Sequence, residues 1–193
     1  MDSEECGIAP LLAPSPWVER WAHLLAPGQA LLDFACGSGR HSRFFAQRGL
    51  RVTAVDRDLA ALACLEAVSG VEVRRLDLEG ATWPFARETF AGVVVTNYLY
   101  RPRFAELLAL LAPDGVLIYE TFAQGHAALG RPSNPDYLLR EGELLERVQG
   151  HLRVVAFEQG RIESPRPAVV QRVLVVGPAR SLPVGLNFPR ETP

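Results

Sequence analysis

The feature that most constrains the fold is an apolar run that breaks into a glycine turn, residues 31–42. The segment Leu31–Ala35 is short and apolar enough to form a buried central strand. Gly37 and Gly39 allow positive φ and a close approach of the backbone to a ligand. A helix can begin at residues 42–48, and the free N–H groups at its start would face that ligand. The pattern therefore predicts a strand that leads into a ligand-binding turn.

An aspartate follows the turn at a spacing typical of nucleoside-binding sites. A second strand is predicted over residues 51–55, and it ends in Asp56, 19 residues after Gly37. In nucleoside-binding α/β units a carboxylate near this position accepts hydrogen bonds from the ribose hydroxyls. The third glycine of the dinucleotide fingerprint would fall at position 42, where this chain has Ser42. The sequence therefore lacks the glycine that allows the helix to pack closely on the strand in nicotinamide and flavin sites. The turn and the acid together predict a nucleoside cofactor and disfavour NAD.

Length and charge narrow the class of protein. With 193 residues, 48% of them hydrophobic, the chain is long enough for one domain with a layered core. A net charge of -2 gives no general attraction to phosphate backbones, which disfavours a nucleic-acid partner. All 20 basic residues are arginines. Without lysine the chain cannot be a P-loop, pyridoxal or Tyr-x-x-x-Lys enzyme.

Metal binding and membrane insertion are not expected. The three cysteines and four histidines show no metal-ligand spacing. The amino terminus lacks the basic segment of a signal peptide, and no apolar run approaches the roughly 18 residues of a membrane span. We therefore expect a soluble protein in a reducing, cytoplasmic compartment.

The amino-terminal region predicts an arm followed by a helix. Residues 1–15 are rich in acids and prolines and predict an irregular arm. A helix begins at Pro16, and its tryptophans, Trp17 and Trp21, favour packing against a sheet. The alternative is that Trp17 or Arg20 reaches the ligand.

Strand and helix patterns alternate through most of the remaining chain. Further strands are predicted over residues 71–76, 91–96 and 116–120, and helices over 59–68, 104–111 and 143–149. Residues 153–159 and 169–176 are strand-like with no helix between them, which predicts an antiparallel hairpin. The sequence thus predicts a doubly wound α/β sheet, followed by a proline-rich tail over residues 178–193 that is either disordered or wraps a neighbour.

This order resembles the class I S-adenosylmethionine-dependent methyltransferases over residues 16–177. The resemblance is carried by Asp33-Phe34-Ala35-Cys36-Gly37-Ser38-Gly39-Arg40, by Asp56 and by Asp77-Leu78. It implies a Rossmann-like, doubly wound, seven-stranded sheet that is mostly parallel, with an antiparallel C-terminal hairpin strand. Gly39-Arg40-His41 with residues 97–102 is most similar to the bacterial small-molecule methyltransferases of the tellurite-resistance type.

The resemblance implies S-adenosylmethionine as the cofactor. It places the turn glycines against the methionine portion, Asp56 on the ribose and Asp77 on the adenine amino group. Arg40 either pairs with the methionine carboxylate or faces solvent, and Cys36 is a packed small residue rather than a nucleophile. The full set of implied cofactor-binding residues is Asp33, Ala35, Gly37, Gly39, Arg40, Asp56, Arg57, Asp77, Leu78, Thr96 and Asn97.

The methyl acceptor is expected on the same edge of the sheet. Residues 120–140 are long for a strand-to-helix connection and predict a lid over a small substrate. The alternative is a structural Ω-loop that covers the end of the sheet. If the acceptor needs a general base, the candidates are Tyr98, Glu120 and His126. Predicted substrate contacts are Tyr98, Tyr100, Arg101, Phe122 and Arg131.

The leading hypothesis is an enzyme that transfers methyl from S-adenosylmethionine to a small molecule. The acceptor is left open among a thiol, a chalcogen oxyanion and a metabolite hydroxyl or carboxylate. Methylation of nucleic-acid bases is disfavoured, because Asn97-Tyr98-Leu99-Tyr100 replaces the Asn-Pro-Pro-Tyr of the enzymes that methylate bases. The alternatives are a non-catalytic S-adenosylmethionine-binding regulator or partner subunit and a nicotinamide-dependent oxidoreductase. A homo-oligomer is also left open.

Overall fold

The computed structural model describes residues 13–85 and 87–186, which form seven strands and five α-helices in those ranges. The strands are β1 (Ala30–Phe34), β2 (Arg51–Asp56), β3 (Val71–Arg75), β4 (Phe90–Thr96), β5 (Leu111–Phe122), β6 (Arg153–Ile162) and β7 (Ala168–Val176). The helices are α1 (Pro16–Trp21), α2 (Arg40–Gln47), α3 (Leu59–Ala63), α4 (Phe104–Leu108) and α5 (Glu143–Val148). Short 3-10 helices cover Ala22–Leu24, Arg101–Arg103, His126–Ala128 and Pro135–Tyr137.

The seven strands form one sheet in the order β3-β2-β1-β4-β5-β7-β6. Strands β3, β2, β1, β4 and β5 run parallel to one another, whereas β7 is antiparallel to both β5 and β6. This arrangement confirms the predicted fold class. The strand order reverses between β1 and β4, and ligands of open α/β sheets bind outside the carboxyl ends of the strands at such a point.

Helices cover both faces of the sheet because the central strands are apolar on both sides. On one face, α1 and α2 bury Trp17, Trp21 and Phe45 against Leu31. On the other face, α4 and α5 pack against a cluster that includes Leu32. The burial of both tryptophans confirms the packing interpretation of the first helix. Arg20 lies over the Trp21 ring and pairs with a β6 carboxylate.

Several element ends differ from the sequence prediction. The helix α3 ends at Ala63, because the chain tightens into turns in which the Leu65 N–H donates to Leu62 O. Residues 112–115, between the predicted helix over 104–111 and the predicted strand over 116–120, lie inside β5 as a bulge, since Phe90 pairs with the first residue of that strand and Gly92 with Val116. Pro113 lacks an N–H, so this part of β5 cannot continue a regular ladder.

The predicted arm and tail fall partly on residues 1–12 and 187–193, which lie outside the described residues. At the described end of the arm, Ser15 is buried and its Oγ accepts the Trp17 N–H at 3.1 Å, which caps α1. In the tail, the Ala179 N–H donates to Pro113 O, and Arg180 donates to Leu24 O at 2.7 Å. The described part of the tail therefore packs on its own domain.

Candidate functional site

A cavity of about 430 Å³ opens at the carboxyl ends of β1, β4 and β5. We call it the strand-end cavity. Its walls come from the turn after β1, from the ends of β4 and β5, from the loop between β6 and β7, and from the start of α1. The lining residues are Ser15, Pro16, Ala35, Cys36, Gly37, Ser38, Arg40, Thr96, Asn97, Glu120, Phe122, Ile162, Ser164, Pro165, Arg166, Ala168, Val170 and Arg172.

The two turn glycines are needed for different reasons. Gly39 has a φ of +77°, and a Cβ built there would lie 2.3 Å from Leu65 Cδ1. Gly37 has a φ of +54°, yet a Cβ there would meet nothing within 4 Å and the residue lines the cavity. Gly39 therefore allows the packing of the turn against the segment after α3, whereas Gly37 keeps the cavity side of the turn open.

Two other wall residues have left-handed backbone conformations. Ala35 and Asn97 both have a φ of +56°, and they follow β1 and β4, the strands that flank the switch point. Non-glycine residues at positive φ are uncommon, and strained backbone concentrates at ligand sites. The strain therefore marks the same edge of the sheet as the glycines.

Asp56 lies at the end of β2 and fixes the glycine turn. Its Oδ2 accepts the Gly37 N–H at 2.8 Å, and its Oδ1 accepts the Asp58 N–H at 3.0 Å. An ionised carboxylate offers about four lone-pair sites, so each oxygen retains capacity for a further donor. Asp56 can thus hold the turn and bind two hydroxyl groups of a ligand at the same time.

The adenine-side residues lie farther along the same edge, outside the strand-end cavity. Asp77 is exposed, and its Oδ1 accepts the Glu79 N–H at 3.0 Å. Leu78 beside it is buried, and Arg57 is exposed next to Asp56. This part of the edge is an open surface rather than a closed pocket.

Asp33 lies in the core behind the turn rather than on the cavity wall. It is 1% exposed, and its Oδ2 accepts the Ser42 hydroxyl proton at 2.6 Å. Burial raises the pKa of Asp33 to about 6, and the hydrogen bonds from Ser42 oppose that rise. Ser42 occupies the position of the third glycine in a dinucleotide site, where the helix and strand backbones pack directly on each other. In this chain a side-chain hydrogen bond joins β1 to α2 instead. Asp33 supports the turn and is not placed to contact a ligand.

Sequence reasoning missed the role of His41. It is 1% exposed at the start of α2, and its Nε2 accepts the Ser15 N–H at 3.0 Å. The proton therefore sits on Nδ1, which lies 3.4 Å from Thr96 Oγ1 and can donate to it. Burial and the nearby Arg40 charge lower the pKa of His41 to about 3. A polar residue on the buried side of an amphipathic helix was the available signal for this bridge.

Glu120 forms part of the wall and binds two wall residues. Its Oε1 accepts the Ser15 hydroxyl proton at 2.8 Å, and its Oε2 accepts a guanidinium N–H of Arg172 at 3.1 Å. Arg172 also pairs with Glu158 at 2.7 Å. The predicted general base is therefore engaged through both oxygens in holding the amino-terminal segment and β7 together.

His126, another predicted general base, has no free ring nitrogen. Its Nδ1 accepts the Val169 N–H at 3.3 Å, so Nε2 carries the proton, 3.1 Å from Arg131 O. The ring is buried and stacks on Phe122 with centroids 4.2 Å apart. This geometry gives His126 a structural role between β7 and the segment after β5.

Three predicted substrate contacts lie away from the cavity. Tyr98 packs its ring on Phe34, and burial raises its pKa. The Tyr100 hydroxyl lies 3.5 Å from Glu79 O. Arg101 makes two contacts of 2.8 and 2.9 Å with the buried carboxylate of Glu143. The chain after Asn97 turns toward the face covered by α4 and α5, and it carries these side chains away from the cavity.

The predicted lid is anchored to the sheet and does not cover the cavity. Ala123 forms a bridge with Leu139, which is fully buried, and Arg131 is exposed. From residues 120–140, only Glu120 and Phe122 at the strand end line the cavity. The loop between β6 and β7 covers it instead and contributes Ser164, Pro165 and Arg166. The two prolines of that loop were visible in the sequence, but nothing local to them indicated the cavity.

No helix in residues 13–85 and 87–186 has the length and hydropathy required to cross a membrane. Within the same residues, no group of three or more His, Cys, Asp or Glu side chains is placed to hold a metal ion.

Comparison with known proteins agrees with this geometry. Residues 31–115 match a methyltransferase domain family. The malonyl-[acyl-carrier protein] O-methyltransferase of Serratia marcescens is 32% identical over 135 residues, covering 68% of this chain and 49% of that protein. The demethylmenaquinone methyltransferase of Renibacterium salmoninarum is 29% identical over 137 residues, covering 63% and 55%. The chain thus spans about half the length of the curated relatives it matches.

A solved structure extends the agreement beyond residues 31–115. TehB from Haemophilus influenzae superposes with a TM-score of 0.69 at 18% identity, covering 83% of this chain and 61% of that chain. The matching domain spans the glycine turn and Asp56. The chain therefore contains a methyltransferase domain over residues 31–115, within a fold that is similar to that of TehB.

Proposed function

We propose that this protein transfers a methyl group from S-adenosylmethionine to a small-molecule acceptor in the strand-end cavity. The observation that carries the proposal is the contact between Asp56 and the Gly37 N–H, which fixes an open glycine turn in the wall of that cavity. The methyltransferase relatives support the same activity. A cytoplasmic location remains a prediction from the sequence.

The described residues fit the cofactor. Ala35 and Gly37 would lie along the methionine portion, with Gly39 shaping the turn from its packed side, and Arg40 would meet the methionine carboxylate. Asp56 has the acceptor capacity for the two ribose hydroxyls, with Arg57 beside it. The remaining proposed contacts are Asp77 and Leu78 to the adenine, and Thr96 or Asn97 to the methionine amine.

When bound, the cofactor supplies a methyl group on a positively charged sulfur. A lone pair of the acceptor forms the new bond to the methyl carbon as the carbon–sulfur bond breaks, and that electron pair stays on sulfur. The protein must hold the reacting atoms in line and exclude water. The wall built by Ser15, Pro16 and the β6–β7 loop over the strand ends suits that task.

Calorimetry with S-adenosylmethionine, S-adenosylhomocysteine and NADH tests the proposal. We expect both adenosyl ligands to bind and NADH not to bind. The substitution Asp56→Asn should weaken S-adenosylhomocysteine by about tenfold or more, since hydrogen bonds to a charged group contribute roughly 1.5–3 kcal/mol. Asp58→Asn is the matched control, because the Asp58 carboxylate caps α3 two residues away and faces no ligand position in the proposal.

Turnover on a panel of small acceptors, read as S-adenosylhomocysteine formation, completes the test. Binding of NADH in place of the adenosyl ligands would overturn the proposal. Equal S-adenosylhomocysteine affinity in the two variants would remove Asp56 from the site. Tight binding with no turnover on any acceptor would favour the non-catalytic regulator.

A further inference from the structure

The charged groups on the wall of the strand-end cavity do not balance. Among the lining residues, the charged ones are Arg40, Glu120, Arg166 and Arg172. Arg172 and Glu120 form an ion pair at 3.1 Å, and Arg172 is shared with Glu158. The charge of Glu120 is thus already matched inside the wall, and two guanidinium groups remain.

Arg40 and Arg166 line the cavity, and neither has a salt bridge within 4.0 Å in the part of the chain that the structure describes. Burial lowers the pKa of Arg40. The carboxylates of Glu120 and Asp33 oppose that shift, and the positive charge of Arg166 adds to it. Two like charges beside one partly enclosed space create a positive potential, which favours an anionic ligand.

The cofactor of the proposed reaction can match only one of these charges. S-adenosylmethionine has a single carboxylate, together with an ammonium and a sulfonium group. If Arg40 meets that carboxylate, the bound cofactor adds net positive charge to a cavity that already contains Arg166. The second partner in the cavity must then supply the negative charge.

Arg166 is well placed to receive that partner. Its guanidinium carbon lies 5.8 Å from the centroid of the Phe122 ring, and both residues line the cavity. Ser164 and Pro165 of the same loop stand beside it in the wall. A guanidinium binds carboxylates and similar oxyanions through paired N–H donors, which an aromatic platform leaves free.

The candidate proton acceptors beside the described wall are already hydrogen-bonded to protein groups. Both oxygens of Glu120 accept hydrogen bonds, and neither ring nitrogen of His126 is free. His41 uses Nε2 to accept the Ser15 N–H. An acceptor that is deprotonated at neutral pH needs no base, because its lone pair is already available.

We propose that the methyl acceptor bears a carboxylate or another oxyanion, and that Arg166 in the β6–β7 loop binds this group opposite Arg40. The inference rests on the proposed methyltransferase function and narrows its substrate class. Neutral hydroxyl, amine and thiol acceptors without an oxyanion group are then poor substrates.

The first experiment loads the full chain with S-adenosylhomocysteine and titrates it with malonate, with sulfate and with the neutral malonamide. Calorimetry should show binding of the anions and none of malonamide. The substitution Arg166→Gln should weaken malonate at least tenfold and leave S-adenosylhomocysteine affinity unchanged. Arg161→Gln is the matched control, since Arg161 is an exposed arginine of the same hairpin that pairs with Glu163.

The second experiment compares turnover of carboxylate acceptors with that of their primary amides. Wild type and Arg161→Gln should prefer the carboxylates, and Arg166→Gln should lose that preference through a higher KM. If S-adenosylhomocysteine does not bind, the proposed function itself fails. If it binds but malonamide equals malonate, or Arg166→Gln matches Arg161→Gln, only the oxyanion inference is overturned. Weaker S-adenosylhomocysteine binding in Arg166→Gln would assign Arg166 to the cofactor instead.

Discussion

The two sides of the strand-end cavity are held together by contacts of very different range. On the side of the glycine turn, Gly37 bonds to Asp56, 19 residues away, and Asp33 bonds to Ser42, 9 residues away. On the opposite side, Ser15 bonds to Glu120 across 105 residues. The turn side is thus built within one strand-helix-strand unit, whereas the opposite wall requires the completed sheet.

This difference separates the two binding tasks. A turn made by local contacts has a geometry that many chains can share, as a common cofactor requires. The opposite wall combines α1, β5, β7 and the β6–β7 loop, so a change in any of them alters its shape and charge. Acceptor specificity can therefore vary without disturbing the turn.

The largest expected effect separates the two glycines of the turn side. Gly39→Ala should lower the free energy of unfolding by about 2–5 kcal/mol, since the left-handed backbone costs about 1–2 and overpacking against Leu65 about 1–3. Gly37→Ala should cost only the backbone strain of about 1–2 kcal/mol, because a Cβ there meets no atom. Urea unfolding measures both values.

Ligand binding should reverse the order of the two variants. We expect Gly37→Ala to bind S-adenosylhomocysteine more weakly than folded Gly39→Ala, since its methyl group enters the cavity side of the turn. Equal losses of stability in the two variants would contradict the assignment of Gly39 to packing and Gly37 to ligand space.

The pH dependence of stability tests the support behind the turn. Asp33 has its folded pKa raised to about 6 from an ordinary value near 3.8, so the folded state holds the proton more tightly than the unfolded state. Its contribution to stability therefore falls as pH rises from about 4 to about 6. Asp33→Asn removes this penalty, and its stability relative to wild type should rise by at most about 3 kcal/mol across that window.

Denaturant unfolding of both proteins between pH 4 and 8 measures this difference. His41 has its pKa lowered to about 3, so its contribution to stability increases as pH rises. This contribution is the same in both proteins and cancels when their stabilities are subtracted. A difference that stays constant from pH 4 to 7 would show that Asp33 is not buried as an acid with a raised pKa.

Most of the fold could be predicted from the sequence because its signals are local. The apolar run before Gly37, the valine-rich β4 and the helix stops each depend on neighbouring residues. The bulge in β5 was not predicted, because Pro113 and Gly115 also suit an ordinary turn and only pairing with Phe90 extends the strand through them. Propensity alone cannot distinguish these outcomes.

The candidate site also has a part that could be predicted from the sequence and a part that could not. The turn and Asp56 were predicted together, since strand, turn, helix and strand fix their separation. The positions of Arg101 and Arg166 were not predictable, because both depend on which face the chain takes after its strand. Arg101 satisfies the buried Glu143, which is distant in sequence, and Arg166 reaches the cavity only because β7 pairs with β5.

The smallest effect concerns Ser15, where the opposite wall meets the amino-terminal segment. Ser15→Ala removes both the cap on the Trp17 N–H and the hydrogen bond to Glu120, and should cost about 1–2 kcal/mol. Ser15→Asp separates the two contacts, because an aspartate can cap α1 but cannot donate to a carboxylate when ionised. If the Glu120 contact organises the wall, Ser15→Asp should be less stable than Ser15→Ala and should raise the KM of the acceptor. If Ser15→Asp instead matches wild type in urea unfolding, the cap alone accounts for the contribution of Ser15 to stability, and the wall does not depend on the Ser15 hydroxyl group.

Ser133→Ala is the control, because Ser133 is an exposed loop serine. Its free energy of unfolding should lie within about 0.5 kcal/mol of wild type.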